Sequence, residues 1–219
     1  MFIPMPRTAS TSAAHADKAP ASKRGSVTSN AEGKDEKRDA ILEAALELFS
    51  ERGFYGTAVP LLAEKAKVAA GTIYRYFENK EAIVNALYQE QKQLFGANVL
   101  AEFPFDAPAR DQFHYFWTKS CAFARQHPKA IAFLELHHHH SYLDDVSRAL
   151  EANILSHAYA FFAMTAEKKV TKPYPPEVLG SIVWGSFVGL MRGCWEKRLD
   201  LSDETIEQAE NCVWEAIRR

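Results

Sequence analysis

Apolar residues recur every three or four positions along most of the chain, which is the spacing of one face of an α-helix. The first such stretch begins at Lys34 and ends before Gly53. A short helix follows, which Thr57 is predicted to cap and in which Pro60 lies in the first turn. A third helix is predicted from about Ala70 to Phe77. The first part of the chain thus contains three closely spaced helices.

The rest of the chain carries helical signals as well. No segment has the strict alternation of a half-buried strand, and we find no internal repeat. Caps and prolines place the helix starts: Asn79, Asp106 with Pro108, Pro128, Ser141 with Asp144 as a capping box, Pro175 with Pro176, and Ser202. The sequence therefore predicts an all-α fold of about nine helices.

Composition divides the chain into three regions. Residues 1–33 are rich in Ala, Ser, Thr and Lys and lack apolar periodicity, which predicts a disordered N-terminal arm. Residues 34–80 hold the three short helices and form a small domain. Residues 81–219 hold the longer helices and form a second, larger domain.

Apolar residues make up 47% of the chain, enough for a substantial core. The longest apolar stretch, from Val178 to Cys194, is broken by glycines and by Arg192, so no transmembrane helix is predicted. The three cysteines are widely spaced and form no CxxC pair, which argues against a disulfide framework or a zinc ribbon. A reducing cytoplasm fits this usage best.

The segment from Gly71 to Phe77 carries the most informative chemistry. On a helix, Ile73 and Phe77 face the same side and can anchor the segment to the two helices before it. Hydroxyl groups and a guanidinium then remain on the surface, and such groups contact phosphates and bases in a DNA major groove. Residues 34–80 carry eight basic and eight acidic side chains, so any DNA affinity depends on where the charges lie. The alternative is an ordinary helical hairpin whose tyrosines pack or face solvent.

The order and spacing of these residues resemble the DNA-binding domain of the TetR family of transcriptional regulators. The resemblance covers about residues 34–80 and rests on a spaced set of positions: 38–49 (RDAILEAALELF), Arg52-Gly53-Phe54, Thr57, Leu62-Ala63, Val68, 71–74 (GTIY), Tyr76-Phe77 and Lys80-Glu81. It implies an N-terminal helix-turn-helix followed by a helical ligand-binding and dimerisation domain.

The resemblance also implies which residues contact DNA. The positions that match the contacts of the family are Thr57, Ala70, Thr72, Tyr74, Arg75, Tyr76 and Lys80; Thr57 and Lys80 correspond to contacts with the DNA backbone. Two positions depart from the family pattern. Lys67 occupies a turn that usually holds glycine, at a cost in backbone strain. Ala69 replaces a serine or threonine cap that contributes about 1 kcal/mol.

The larger domain is rich in aromatic residues, which line ligand pockets but more often form plain core. Polar groups among them could orient a small molecule. The predicted ligand-binding residues are His114, Trp117, Cys121, His137, His138, Tyr142 and Trp184.

The run His137 to His140 is the least ordinary feature of the chain. Two histidines three apart could bind a metal together with a carboxylate, but the HExxH pattern of zinc hydrolases is absent. The run is also consistent with a polar pocket wall or with a solvent-exposed helix end. We expect no metal and no cofactor.

The last two helices are apolar along one side, which suggests a four-helix interface between two copies of the chain. The predicted interface residues are Val178, Ile182, Trp184, Phe187, Met191, Val213 and Ile217. The alternative is that these helices only close the core of one copy.

Together these features favour a cytoplasmic repressor, not an enzyme, that binds a palindromic operator as a homodimer and is released by a small-molecule inducer. Its expected partners are double-stranded DNA, a second copy and the ligand, with no membrane. A ligand- or metal-dependent activator or corepressor uses the same parts and remains an alternative. A metal-dependent enzyme using the histidine run is a more remote one, because no nucleophile elbow, P-loop or dinucleotide fingerprint is present. The N-terminal arm is either a dispensable tail, the product of a misassigned start codon, or a basic arm that touches DNA.

Overall fold

The structure is a computed structural model that describes residues 27–137 and 139–219, and residues 36–219 form one compact unit. Within the described ranges the regular structure is nine α-helices and one 3₁₀ turn. The helices are α1 Val27–Arg52, α2 Val59–Lys65, α3 Ala70–Tyr76, α4 Lys80–Val99, α5 Ala109–Gln126, α6 Pro128–Leu136, α7 Asp145–Glu167, α8 Pro176–Trp195 and α9 Asp203–Ile217; the 3₁₀ turn is His140–Tyr142.

The predicted all-α fold is confirmed. The β-type pairing in the described residues is limited to one isolated bridge between Thr171 and Arg218. Two predicted caps are also confirmed. The Asn79 side chain accepts a hydrogen bond from the Ala82 N–H at 2.8 Å, and the Ser202 hydroxyl accepts one from the Thr205 N–H at 3.1 Å.

Three predicted helix starts were wrong in detail. Helix α1 begins at Val27, seven residues before the predicted start; residues 1–26 lie outside the described residues, so for them the N-terminal arm stays a prediction. Helix α2 is preceded by Ala58, whose side chain cannot cap it, and not by Thr57. Helix α7 is capped by Asp144, which accepts from the Ser147 N–H, because Ser141 lies in the preceding 3₁₀ turn.

A first hydrophobic core joins α1, α2 and α3 to the larger domain. Ile41, Leu62 and Ile73 meet in it from α1, α2 and α3. The same core includes Leu87 of α4 and Phe133 of α6. The packing therefore continues across residue 80 and joins α4 and α6 directly to α1, α2 and α3.

A second core fills the larger domain, where α5 lies among α4, α6, α8 and α9. Trp117 and Phe187 are among its largest fully buried side chains. Their rings lie edge to face with centroids 6.2 Å apart, a favourable arrangement for aromatic pairs. Seven buried Phe and Trp side chains lie in this core, and Phe116, Phe161 and Trp184 pack against it.

One face of α6 lies along the C-terminal half of α1. Lys129 is 3.6 Å from the carboxylate of Glu47, and the ring of Phe133 stacks on that of Phe49 with centroids 6.3 Å apart. One helical turn further, the Nε2–H of His137 donates to the Ser50 carbonyl at 2.9 Å. Lys129 and Phe133 are four residues apart on one face of α6, and His137 continues the contact directly after the helix ends.

Helix α8 combines a buried and an exposed face. Leu179, Val183 and Met191 are buried in the second core, whereas Val178 and Ile182 are exposed. Among the described helices α8 alone is long and apolar enough to cross a membrane by length and composition, with a mean hydropathy of 1.2 and 28% of that stretch buried. Core helices pass the same test, so the absence of a transmembrane helix stays a prediction.

Candidate nucleic-acid interface

Helix α3 is short and is held by two apolar side chains on one face. Ile73 and Phe77 are both buried in the first core, as their spacing predicted. A seven-residue helix has little stability of its own, so these contacts fix its position. The opposite face of α3 is therefore presented on a firm support.

The exposed face of α3 carries the predicted DNA-contacting residues. Tyr74 is 56% exposed, and Ala70 and Arg75 are exposed as well. Thr72 and Tyr76 are half-buried at the edges of this face. Within the described part of the chain, Arg75 has no ion-pair or hydrogen-bond partner. Its guanidinium is free to bind a base edge or a phosphate.

The turn before α3 has both predicted departures from the family pattern. Lys67 adopts a left-handed backbone with a φ of 55°, which a side chain tolerates at a cost of about 1 kcal/mol. Ala69 is the N-cap residue and offers no side-chain hydrogen bond. The turn keeps the helix-turn-helix geometry despite these two substitutions.

The predicted DNA contact of the Thr57 side chain is wrong. Thr57 is 0% exposed, and its hydroxyl donates to the Gly53 carbonyl at 2.9 Å, with the Leu48 carbonyl also near at 3.3 Å. The hydroxyl is thus sealed inside the turn between α1 and α2. Thr57 positions that turn and cannot reach a phosphate through its side chain.

The side chain of Lys80 also stabilises the turn between α1 and α2. Its ammonium donates to the carbonyls of Phe54 and Thr57, at 2.7 and 3.0 Å, and lies 3.9 Å from the centre of the Phe54 ring. Both carbonyls lie in the turn between α1 and α2. Two of the three N–H groups of Lys80 are therefore engaged, and the predicted phosphate contact stays a prediction for the third.

An aromatic joint connects this turn to the larger domain. The ring of Tyr142, in the 3₁₀ turn, stacks on Phe54 with centroids 4.0 Å apart and an angle of 20° between the planes. Tyr55 approaches both rings edge to face, and its hydrogen bond with Tyr142 raises the pKa of Tyr142. Buried Asn85 of α4 holds the other side by donating to the Tyr142 carbonyl at 2.7 Å.

This joint was missed at the sequence level, since nothing in the local pattern pairs Phe54 with Tyr142. The docking of α6 on α1 had a signal in the spacing of Lys129, Phe133 and His137.

The predicted ligand-binding residues do not form one site. Trp117 and Cys121 are buried core residues; the Trp117 indole N–H donates to the Ile206 carbonyl at 3.1 Å, and burial raises the pKa of the Cys121 thiol to about 12. His114 lies on the surface, where its side chain is 61% exposed and its Nδ1 is 2.9 Å from both carboxylate oxygens of buried Glu210. Packing and local pairing occupy the polar groups of these three residues in the free protein, and their role in ligand binding stays a prediction.

The remaining predicted ligand residues lie in two other places. His137 contacts Ser50 at the C-terminal end of α1, and Tyr142 stacks on Phe54 in the turn between α1 and α2. Both residues therefore connect the larger domain to the helix-turn-helix. Trp184 is half-buried, and its indole N–H donates to the Glu135 carboxylate at 2.9 Å. His138 lies outside the described residues. Within the residues that the structure describes, no group of three or more His, Cys, Asp or Glu side chains is arranged to hold a metal ion.

The predicted dimer-interface residues divide in a similar way. Phe187, Met191, Val213 and Ile217 are buried in the second core of their own chain, so the prediction was wrong for these four. Trp184 is half-buried beside them. Val178 and Ile182 are 45% and 39% exposed on the outer face of α8.

An exposed, basic and aromatic helix held at a fixed angle by two others defines a helix-turn-helix DNA-binding protein with an attached helical domain. The profile of the tetR family of bacterial regulatory proteins matches residues 41–87. The profile of tetracyclin repressor-like C-terminal domains matches residues 88–219. The chain belongs to the TetR family of transcriptional regulators.

Proteins similar to this chain include a TetR family protein from Vibrio parahaemolyticus, whose structure has a TM-score of 0.66 and 30% identity over 84% of this chain and 99% of that one. The uncharacterized HTH-type transcriptional regulator YhgD of Bacillus subtilis is 26% identical over 178 residues, 78% of this chain and 91% of that protein. The structure of AibR in complex with isovaleryl coenzyme A and operator DNA has a TM-score of 0.67 at 21% identity, covering 81% of this chain and 96% of that one. The last likeness is one of fold.

Proposed function

We propose that the protein is a ligand-responsive repressor that binds a palindromic operator as a homodimer in the cytoplasm. The single observation that carries the proposal is the outer face of α3. Tyr74 and Arg75 are exposed there, on a helix that Ile73 and Phe77 anchor. A charged side chain without an internal partner is suited to bind an external one, and bases and phosphates are acceptors of the right geometry.

We propose that a second copy of the chain packs against the exposed apolar face of α8. Val178 and Ile182 are exposed together with Gly185 on one stripe of that helix. Neighbouring α7 adds Leu155, which is also exposed and apolar. The outer face of α9 carries mostly polar and charged side chains, such as Glu207, Gln208 and Asn211. We therefore assign the interface to α7 and α8, and not to α8 and α9.

Helices α7 and α8 approach each other closely enough to act as one surface. A Cβ added at Gly180 of α8 would lie 3.1 Å from the ring of Tyr159 on α7, so glycine permits this approach. A twofold axis through this surface would place two α3 helices in successive major grooves, about 34–36 Å apart.

Ligand control would act through the spacing of the two α3 helices. A ligand that prefers a form with the wrong spacing lowers the affinity for DNA by the same factor by which DNA lowers the affinity for the ligand. The structure of AibR, which has the same fold, is that of a complex with both isovaleryl coenzyme A and operator DNA. That example supports the scheme of two binding functions in one chain.

The test of DNA recognition is a footprint of the purified protein on the DNA upstream of its own gene. Protection of a region with dyad symmetry, lost for Tyr74→Ala, is the expected result. Protection without symmetry, or equal protection by the variant, would contradict the proposal. A ligand that strengthens the footprint would assign the protein to the corepressor type.

The test of the interface is the mass of the protein in solution by light scattering. Ile182→Glu is expected to give a monomer, since it places a charge in the centre of the apolar stripe. Phe105→Glu is the matched control, because Phe105 is 75% exposed in the α4–α5 loop, outside the stripe. A dimer that persists in Ile182→Glu would move the interface elsewhere.

A further inference from the structure

Two hydrogen-bond donors inside the larger domain converge on one carboxylate. The ammonium of Lys92, on α4, donates to one oxygen of Glu135 at 3.0 Å. The indole N–H of Trp184, on α8, donates to the other oxygen at 2.9 Å. The side chains of Lys92 and Glu135 are only 13% and 11% exposed. The two donors come from different helices and are spaced to bind both oxygens of one carboxylate. We call this pair, the Lys92 ammonium and the Trp184 indole N–H, the fork.

The fork opens onto aromatic side chains. Phe95 lies edge to face against Trp184 with centroids 5.8 Å apart, and Phe187 stacks on Trp184 with centroids 4.8 Å apart. Phe116 of α5 is also near Trp184, at 6.3 Å. A carboxylate group at the fork would thus have apolar surface beside it for the rest of a small molecule.

A buried hydroxyl on α5 lacks a partner. Ser120 is 1% exposed, and its Oγ has no hydrogen-bond partner in the part of the chain that the structure describes. It lies four residues after Phe116 and three before Phe123, so it shares their face of α5. Phe116 contacts Trp184 and Phe123 contacts Phe95. A buried polar group without a partner is costly and calls for a ligand or water.

Open space follows Lys92 along α4. Gly96, one turn after Lys92, is half-buried, and no described atom lies within 4 Å of the position that a Cβ there would take. The absence of a side chain at Gly96 leaves this face of α4 unobstructed. A ligand can therefore approach the ammonium without rebuilding the helix.

From these observations we infer that the larger domain binds an organic carboxylate with an apolar body, whose carboxylate replaces Glu135 between Lys92 and Trp184. Glu135 occupies the fork in the free protein as an internal competitor of the same chemistry. Ser120 supplies a further hydrogen bond to the bound molecule. The inference deepens the proposed function, on which it rests for the role of this domain as the sensor.

Release of Glu135 would act on the helix-turn-helix through α6. Glu135 lies on α6, whose opposite contacts at Lys129, Phe133 and His137 hold the C-terminal half of α1. When the ligand takes the fork, α6 loses two hydrogen bonds that tie it to α4 and α8. A change in α6 then reaches α1 and the helices that follow it.

The test is a titration of ¹⁵N-labelled full-length protein in which the indole N–H signal of Trp184, assigned by its loss in Trp184→Phe, reports on the fork. The probes are octanoate and 3-phenylpropanoate, with octanamide, 3-phenylpropanamide, octyltrimethylammonium and octanoyl coenzyme A for comparison. The two carboxylates are expected to shift the signal saturably, and the uncharged amides to bind at least tenfold more weakly. Equal binding of acids and amides, or binding of only the cation or the thioester, overturns the inference.

Variants separate ligand binding from a purely structural ion pair. Glu135→Gln keeps the shape but removes the competing charge, so it is expected to bind the carboxylates at least tenfold more tightly. Lys92→Met is expected to lose binding, and the exposed Lys168→Met, matched in chemistry, to keep it. Ser120→Ala is expected to weaken binding while the thermal stability of the free protein stays the same or rises.

The inference fails if Glu135→Gln binds the carboxylates no more tightly than the wild type, and this variant decides the matter even if Lys92→Met does not fold. The titration contains no DNA. The absence of a footprint would therefore refute the proposed repressor and leave the carboxylate site intact. The absence of a shift in the Trp184 signal would refute the carboxylate site and leave the proposed repressor intact.

Discussion

The rings of Phe54 and Tyr142 stack at 4.0 Å between centroids, although the two residues belong to different parts of the chain. Phe54 lies in the turn that leads into the helix-turn-helix, and Tyr142 lies in the 3₁₀ turn between α6 and α7. Because Lys80 and Asn85 hold the two partners from α4, the stack is part of a larger joint. The joint connects the larger domain to the turn between α1 and α2.

Loss of this stack is expected to weaken DNA binding. Tyr142→Ala removes an aromatic pair that contributes about 0.5–1.5 kcal/mol, so DNA affinity should fall by roughly 2- to 12-fold. Tyr142→Phe keeps the ring and should bind DNA almost as well as the wild type. Fluorescence anisotropy with the DNA upstream of the protein's own gene measures the affinity of both variants. Equal affinity of Tyr142→Ala and the wild type would show that the stack does not contribute to DNA binding.

Substitution of Gly53 should destabilise the protein. Gly53 has a φ of +66°, and a Cβ there would lie 3.2 Å from Nδ1 of His137. Gly53→Ala is expected to cost about 1–2 kcal/mol from the left-handed backbone alone. Gly96→Ala, in open space within α4, is expected to stabilise by about 0.5–1 kcal/mol. Urea unfolding measures both, and a neutral Gly53→Ala would show that the turn relaxes easily.

Thr57→Val tests the position of the buried hydroxyl. The variant keeps the side-chain shape but loses the hydrogen bond to the Gly53 carbonyl, which should lower the free energy of unfolding by about 1 kcal/mol. The dependence of DNA affinity on salt should be unchanged, since Thr57 neutralises no phosphate. A weaker affinity without any loss of stability would restore Thr57 as a direct DNA contact.

Stability should depend on pH through Glu47. The hydrogen bond from Lys65, together with the charge of Lys129, lowers the pKa of Glu47 below its ordinary value of 4.5. A lowered carboxyl pKa stabilises the folded state fully above the unfolded value, and this contribution is lost as the pH falls through the folded value. The difference in melting temperature between wild type and Glu47→Gln should be constant at neutral pH and shrink below about pH 4.5. A difference that does not vary with pH would contradict this assignment.

Much of the fold could be predicted from local signals. Asn79 and Ser202 were identified as caps because capping depends on a side chain and a backbone N–H three residues away. The burial of Ile73 and Phe77 followed from helical spacing, and Tyr74 and Arg75 were left outside by the same argument.

The remaining contacts depend on packing between distant segments. Thr57 has the side chain of a cap, but the loop turns its hydroxyl inward to Gly53. Met191 and Val213 have the spacing of an interface, yet the same spacing serves the core of one chain, and only the structure distinguishes the two. The pairing of Lys92 with Glu135 joins residues 43 positions apart, and no local pattern relates them.

The most direct test of the central claim, that α3 recognises DNA, is fluorescence anisotropy of Arg75→Ala on the upstream DNA across a range of salt concentrations. Lys168→Ala is the control, because it removes one positive charge from an exposed site outside the helix-turn-helix. Arg75→Ala is expected to lose about 1–3 kcal/mol of discrimination between that DNA and a random sequence, while the control behaves as the wild type. Equal discrimination by wild type and Arg75→Ala would contradict the account.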